Sequence, residues 1–126
     1  MAGRFLLDSH ILVWLDAGNP QVTPNIRETL RYADERFLSA ATSWELSLKL
    51  AAGKLQLGAP IASMLPAFRL TELPVTMAHG DRAASLPLIH RDPFDRMLVA
   101  QALEEGLILV TGNQRLAEYG VPVLMV

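Results

Sequence analysis

Residues 92–113 read DPFDRMLVAQALEEGLILVTGN, and this stretch decides the fold. Asp92 suits a helix N-cap, Pro93 the first helical position, and Asp95 the first turn, where a negative charge meets the positive end of the helix dipole. Phe94, Met97, Leu98, Gln101 and Ala102 recur at helical spacing to about Glu105. Gly106 is a natural stop. Leu107 to Val110 is then a continuous apolar run, too short for a helix and suited to a strand buried on both faces. It ends in Thr111-Gly112-Asn113. A helix feeding a fully buried strand is the repeating unit of an α/β domain with a parallel sheet.

The same alternation extends in both directions. Phe5-Leu6-Leu7 is a short strand closed by Asp8, and Asp8 or Ser9 caps a short helix over 11–15 that stops before Gly18-Asn19-Pro20. Thr23-Pro24 opens a second helix, with Ile26, Leu30 and Ala33 on its apolar side. Phe37-Leu38 reads as a strand ending at Ser39. A helix over 40–52 follows, with an expected apolar face of Trp44, Leu48 and Ala51, widened by Leu46 and Leu50. Further helices are expected over 59–68 and 76–85, a strand over 70–75 weakened by Pro74, and a loop over 86–91. After Asn113 come a short helix to about Tyr119 and a last strand over 121–126. The expected fold is a three-layer α/β/α domain with a mostly parallel sheet of four or five strands, in one domain spanning 1–126.

Composition excludes several classes. The 126 residues carry eleven Lys and Arg against thirteen Asp and Glu, a formal net charge of −2, so no blanket basic surface exists for nucleic acid. With no cysteine, disulfides, thiolate metal sites and a cysteine nucleophile are excluded, and a cytoplasmic location is expected. The first residues lack the clean apolar run and cleavage site of a signal peptide. No stretch approaches the roughly 20 apolar residues that span a bilayer, so no membrane role is expected. Phosphate-loop, dinucleotide-binding, nucleophile-elbow and zinc-helix motifs are all missing.

In parallel sheets, ligands sit beyond the carboxyl ends of the strands. Asp8, Ser39, Thr111 and Asn113 fall at such ends, Glu45 lies about one and a half turns into the helix after Ser39, and Asp92 and Asp95 open the helix before the most apolar strand. Carboxylates converging on one crevice repel unless a cation neutralises them, and an all-oxygen set suits Mg²⁺ or Mn²⁺. Each residue also has a structural explanation. Asp8, Asp92 and Asn113 are all good helix caps. Glu45 is harder to explain away, because a carboxylate in an apolar neighbourhood needs a partner or a metal. His10, His79 and His90 show no paired metal spacing and read as core or surface residues. Arg91, Arg96 and Arg115 lie near the expected crevice and could hold phosphate, although isolated arginines are usually solvated or paired with surface carboxylates.

The segments FLLDSHILVWL (5–15), LSAATSWELSLKLAAGKL (38–55), LPLIHRDPFDRMLVAQALEEGLILVTGN (86–113) and YGVPVLMV (119–126) together resemble PIN-domain ribonucleases, most closely the VapC-type toxins of bacterial toxin–antitoxin pairs. The resemblance covers most of the chain in order. It implies a Mg²⁺- or Mn²⁺-dependent endoribonuclease whose metal is held by Asp8, Glu45 and Asp95. Where the family often has a fourth acid this chain has Asn113, a neutral oxygen donor, and Asp92 stands nearby as a substitute. Ser9 and Thr111 match the small hydroxyl positions beside the site. An RNA substrate, a homodimer and a cognate antitoxin are also implied. Arg91, Arg96 and Lys49 are then the expected rim contacts to the phosphate backbone. Two other readings compete. A non-cleaving PIN-like protein-binding module is suggested by Asn113 alone. A receiver-like Mg²⁺-binding signalling domain lacks its acidic pair after the first strand and its lysine after the last.

Overall fold

A computed structural model of the chain describes residues 3–126. Its strands are β1 (Arg4–Leu7), β2 (Glu35–Ser39), β3 (Thr71–Leu73), β4 (Ile108–Thr111) and β5 (Val123–Met125). Its helices are α1 (Ser9–Ala17), α2 (Pro24–Arg31), α3 (Ala40–Ala51), α4 (Ile61–Ala67), α5 (Met77–Ser85) and α6 (Pro93–Glu105), followed by a 3₁₀ helix over Gln114–Tyr119. The stops expected at Gly18 and Gly106 hold, since both adopt left-handed backbone at φ 64° and 66°. The strand expected over 70–75 ends at Leu73, just before Pro74 removes a ladder donor.

All five strands are parallel, in the order β3-β2-β1-β4-β5. The chain winds outward from β1 to β3, then crosses back to lay β4 against the other side of β1. Leu6 is therefore in register with Phe37 on one side and Leu109 on the other. The direction of winding reverses between β1 and β4, and a crevice opens beyond their carboxyl ends.

Alternation along β1 divides the core in two. Phe5 and Leu7 pack on one face with Ile11 and Leu12 of α1, Leu30 of α2, Leu46 of α3 and Met64 of α4. Leu6 faces the other way, with Phe37, Leu109, Leu98 and Val99 of α6, and Leu116. Helices on both faces complete the three layers.

The expected apolar face of α3 is a correction. Trp44 is 62% exposed and Leu48 48%, and the residues turned inward are Ala41, Thr42, Glu45 and Leu46. The inward face carries two polar side chains, so hydrophobicity alone points the helix the wrong way. Trp44 instead meets the Phe94 ring of α6 edge-on at 5.3 Å, where α3 approaches the first turn of α6. No helix among the described residues is long and apolar enough to cross a membrane.

Candidate active site

Asp8 is fixed by the sheet that precedes it. Its backbone N–H donates to the Val110 carbonyl at 2.9 Å, which ties the end of β1 to β4. The side chain caps α1: Oδ1 accepts from the Ser9 N–H at 2.6 Å and the Ser9 hydroxyl at 3.2 Å. Oδ2 accepts from the Thr111 hydroxyl at 2.7 Å across 103 residues of sequence. Thr111 Oγ1 in turn accepts from the Asn113 N–H at 3.0 Å. Asp8 is only 4% exposed. Ser9 and Thr111 thus fix the rotamer of a buried carboxylate.

Asp95 reaches the same place from α6. Asp92 Oδ1 caps that helix, accepting from the Phe94 and Asp95 N–H groups at 2.8 and 3.2 Å. Asp95 Oδ2 lies 2.9 Å from His90 Nε2. Burial, then the charges of Asp8 and Asp92, raise the Asp95 pKa from 3.8 to about 6, against the lowering effect of the His90 hydrogen bond and charge. Asp8, His10, Trp14, Asp95, Gly112 and Asn113 line a crevice of about 330 Å³. It lies at the carboxyl ends of β1 and β4.

The remaining predicted residues divide. Glu45 is buried at 7% exposure, but it is not among the residues lining the crevice. Its Oε2 pairs with Lys49 Nζ at 3.2 Å, while its Oε1 is buried with no hydrogen-bond partner. Leaving a buried carboxylate oxygen unpaired costs about 1–3 kcal/mol or more, and a cation would remove that cost. The crowded charges around Asp95 and, separately, this orphaned oxygen each suit a divalent cation held by oxygen donors. Asn113 lines the crevice while its Oδ1 caps the 3₁₀ helix, accepting from the Arg115 N–H at 3.1 Å. Asp92 is both a cap and a neighbour of Asp95.

Arg96 departs from the rim role expected of it. It donates to the carbonyls of Ala83 (2.9 Å), Leu86 (3.0 Å), Pro87 (2.9 Å) and His90 (3.4 Å). Its donors clamp the loop over 86–91 in place of a phosphate. Lys49 is engaged with Glu45, and Arg91 is exposed. His90, read from the sequence as a core or surface residue, instead lies beside Asp95; pairwise metal spacing does not capture a histidine five residues before an aspartate across a helix cap. His79 is a core residue, as expected: it is buried, with Nδ1 accepting from the Thr76 N–H at 3.0 Å and Nε2 2.9 Å from Glu105. A separate cavity of about 290 Å³ beside α2 and α4 is lined by Arg27, Arg31, Arg36 and Arg69 with apolar side chains and no carboxylate, so it is chemically unlike the crevice.

The PIN domain family model matches residues 5–122. The chain belongs to the PIN-domain family. It is 31% identical over 120 residues to Ribonuclease VapC22 of Mycobacterium tuberculosis, covering 93% of this chain and 92% of the relative. Its fold is similar to that of VapBC from Salmonella typhimurium in a DNA-bound crystal structure, with TM-score 0.72, 21% identity and 97% of each chain covered. VapBC2 from Rickettsia felis, bound to a DNA fragment from its promoter, gives TM-score 0.71 and 19% identity, covering 96% of this chain and 97% of that one. These two likenesses establish the PIN-type fold independently of close sequence identity.

Proposed function

We propose that this PIN-domain protein is a VapC-type toxin, an endoribonuclease that hydrolyses RNA phosphodiester bonds and is restrained by a cognate antitoxin. The observation that carries the reading is the crevice at the carboxyl ends of β1 and β4, where Asp8 and Asp95 crowd together and Asp95 resists ionisation. The kinship with Ribonuclease VapC22 over most of both chains supports the same activity.

Asp8, Glu45 and Asp95 would hold Mg²⁺ or Mn²⁺, with Asn113 and Asp92 as neighbouring oxygen donors. When bound, such an ion supplies acidification of water and neutralisation of the charge that develops on the phosphodiester. The chain's own residues do the rest. Ser9 and Thr111 hold Asp8 in one orientation, so its charge is preorganised before substrate arrives. Lys49, one turn further along α3, holds Glu45 Oε2 at 3.2 Å and so fixes the direction of its carboxylate. Arg91, exposed next to Asp92, meets the phosphate backbone of single-stranded RNA. A homodimer in the cytoplasm completes the proposal.

Expression of the chain without its antitoxin, beside an Asp8→Asn variant, tests the reading. Growth arrest with wild type, none with Asp8→Asn, and relief by the co-encoded antitoxin are expected. Equal arrest by Asp8→Asn at equal protein levels contradicts cleavage and favours a module that acts only by binding protein.

A further inference from the structure

We propose that His90 is a member of the cation site and that its ring nitrogen makes the site favour a first-row transition ion such as Mn²⁺ over Mg²⁺; this rests on the cation reading above. His90 Nε2 lies 2.9 Å from Asp95 Oδ2. One ligand atom each from His90, Asp92 and Asp95 lie within 4.8 Å of one another, close enough to share one ion. The three residues sit where the loop over 86–91 meets the first turn of α6, so the cluster is continuous with the crevice through Asp95.

Two sets of contacts hold the ring there. The Tyr119 hydroxyl accepts from the His90 N–H at 2.8 Å and donates to the His90 carbonyl at 3.2 Å. Arg96 donates to the same carbonyl, to two others of the preceding loop and to that of Ala83 in α5. A guanidinium and a phenol are thus spent on fixing the backbone of one histidine. Asp92 is fixed too: the helix cap uses its Oδ1, and its Oδ2 makes no hydrogen bond among the described residues. An ion entering beside Asp95 takes the place of the His90 Nε2–Asp95 Oδ2 hydrogen bond, the ring proton then being carried on Nδ1.

The donor set decides the preference. Mg²⁺ takes oxygen ligands and keeps its water, so an imidazole gives it little. Transition ions accept imidazole nitrogen readily. His90 would therefore strengthen Mn²⁺ binding selectively, while the carboxylates serve both ions.

The test is Mn²⁺ binding to the full chain, followed by electron paramagnetic resonance with Mg²⁺ as competitor, and pulsed spectra searched for coupling to ¹⁴N. Wild type, His90→Gln and His10→Gln are compared, the last because His10 also lines the crevice. Nitrogen coupling is expected in wild type and in His10→Gln. In His90→Gln it should vanish, with Mn²⁺ affinity falling about tenfold and Mg²⁺ affinity changing less than about twofold. Bound Mn²⁺ without nitrogen coupling in wild type, or an unchanged Mn²⁺ to Mg²⁺ ratio in His90→Gln, overturns the role of His90 and leaves the cation reading standing. No Mn²⁺ binding at all overturns both. Coupling that disappears in His10→Gln assigns the nitrogen to the wrong histidine and also overturns the proposal. If His90→Gln does not fold, wild type and His10→Gln still decide the question.

Discussion

Replacing Asp95 with Asn should stabilise the metal-free protein. The Asp95 pKa is raised from 3.8 to about 6 by burial and by the charges of Asp8 and Asp92. A rise of that size corresponds to about 3 kcal/mol of disfavoured ionisation. The side chain keeps 16% of its surface exposed, and water screens part of the repulsion, so about 1–3 kcal/mol is the realistic range. The sign follows from linkage. Below about pH 4 the carboxyl is protonated in folded and unfolded chains alike, and nothing is lost. From about pH 4 to 6 the unfolded chain ionises while the folded site resists, so stability falls as pH rises. Above about pH 6 the full penalty is present. Asn removes the charge and keeps an oxygen for His90. In EDTA at pH 7.5, Asp95→Asn should melt roughly 3–10 °C higher than wild type. The gain should shrink on acidification towards pH 4. Saturating Mn²⁺ should close or reverse the gap, because only wild type gains from binding. Scanning calorimetry across pH measures all of this. A variant no more stable than wild type at pH 7.5, or a gain equally large at pH 4, refutes the reasoning.

Thr111→Val removes a buried hydroxyl that donates to Asp8 and accepts from the Asn113 N–H. Urea denaturation should show a loss of about 1.5–3 kcal/mol, with Thr111→Ser keeping most of it. Leu46→Ala should cost about 2–5 kcal/mol by leaving a cavity, and Leu48→Ala less than about 1 kcal/mol, a contrast that checks which face of α3 is inward. Arg96→Met should release the loop that its guanidinium clamps. Hydrogen exchange over 83–91 should quicken while that of β1 and β4 stays slow.

The architecture was legible because the signals agreed. Short apolar runs, each closed by a polar residue, alternated with capped helices, and Gly106 and Leu107–Val110 marked one helix stop and one central strand without ambiguity. Asp8 and Thr111 meet because strand ends in a parallel sheet share one edge, and Asp95 joins them from the first turn of α6. The inward face of α3 departs from the hydrophobic pattern: Thr42 and Glu45 occupy it, and Trp44 lies outside against Phe94. Arg96 and His90 make contacts other than those expected of them, for a different reason. Their partners are backbone carbonyls, a hydroxyl and a carboxylate brought together by one loop conformation, which no residue spacing encodes. A charged residue near a predicted crevice can face the ligand or hold the wall, and only the folded loop distinguishes them.

The most direct test of the central claim is cleavage of total cellular RNA by antitoxin-free protein in Mg²⁺, in Mn²⁺ and in EDTA, beside Asp8→Ala. Discrete fragments that require a divalent cation and disappear with Asp8→Ala are the predicted result, and sequencing their ends would identify the substrate. Folded protein that leaves every RNA intact in both metals, or cleavage that survives EDTA and Asp8→Ala equally, would contradict the account.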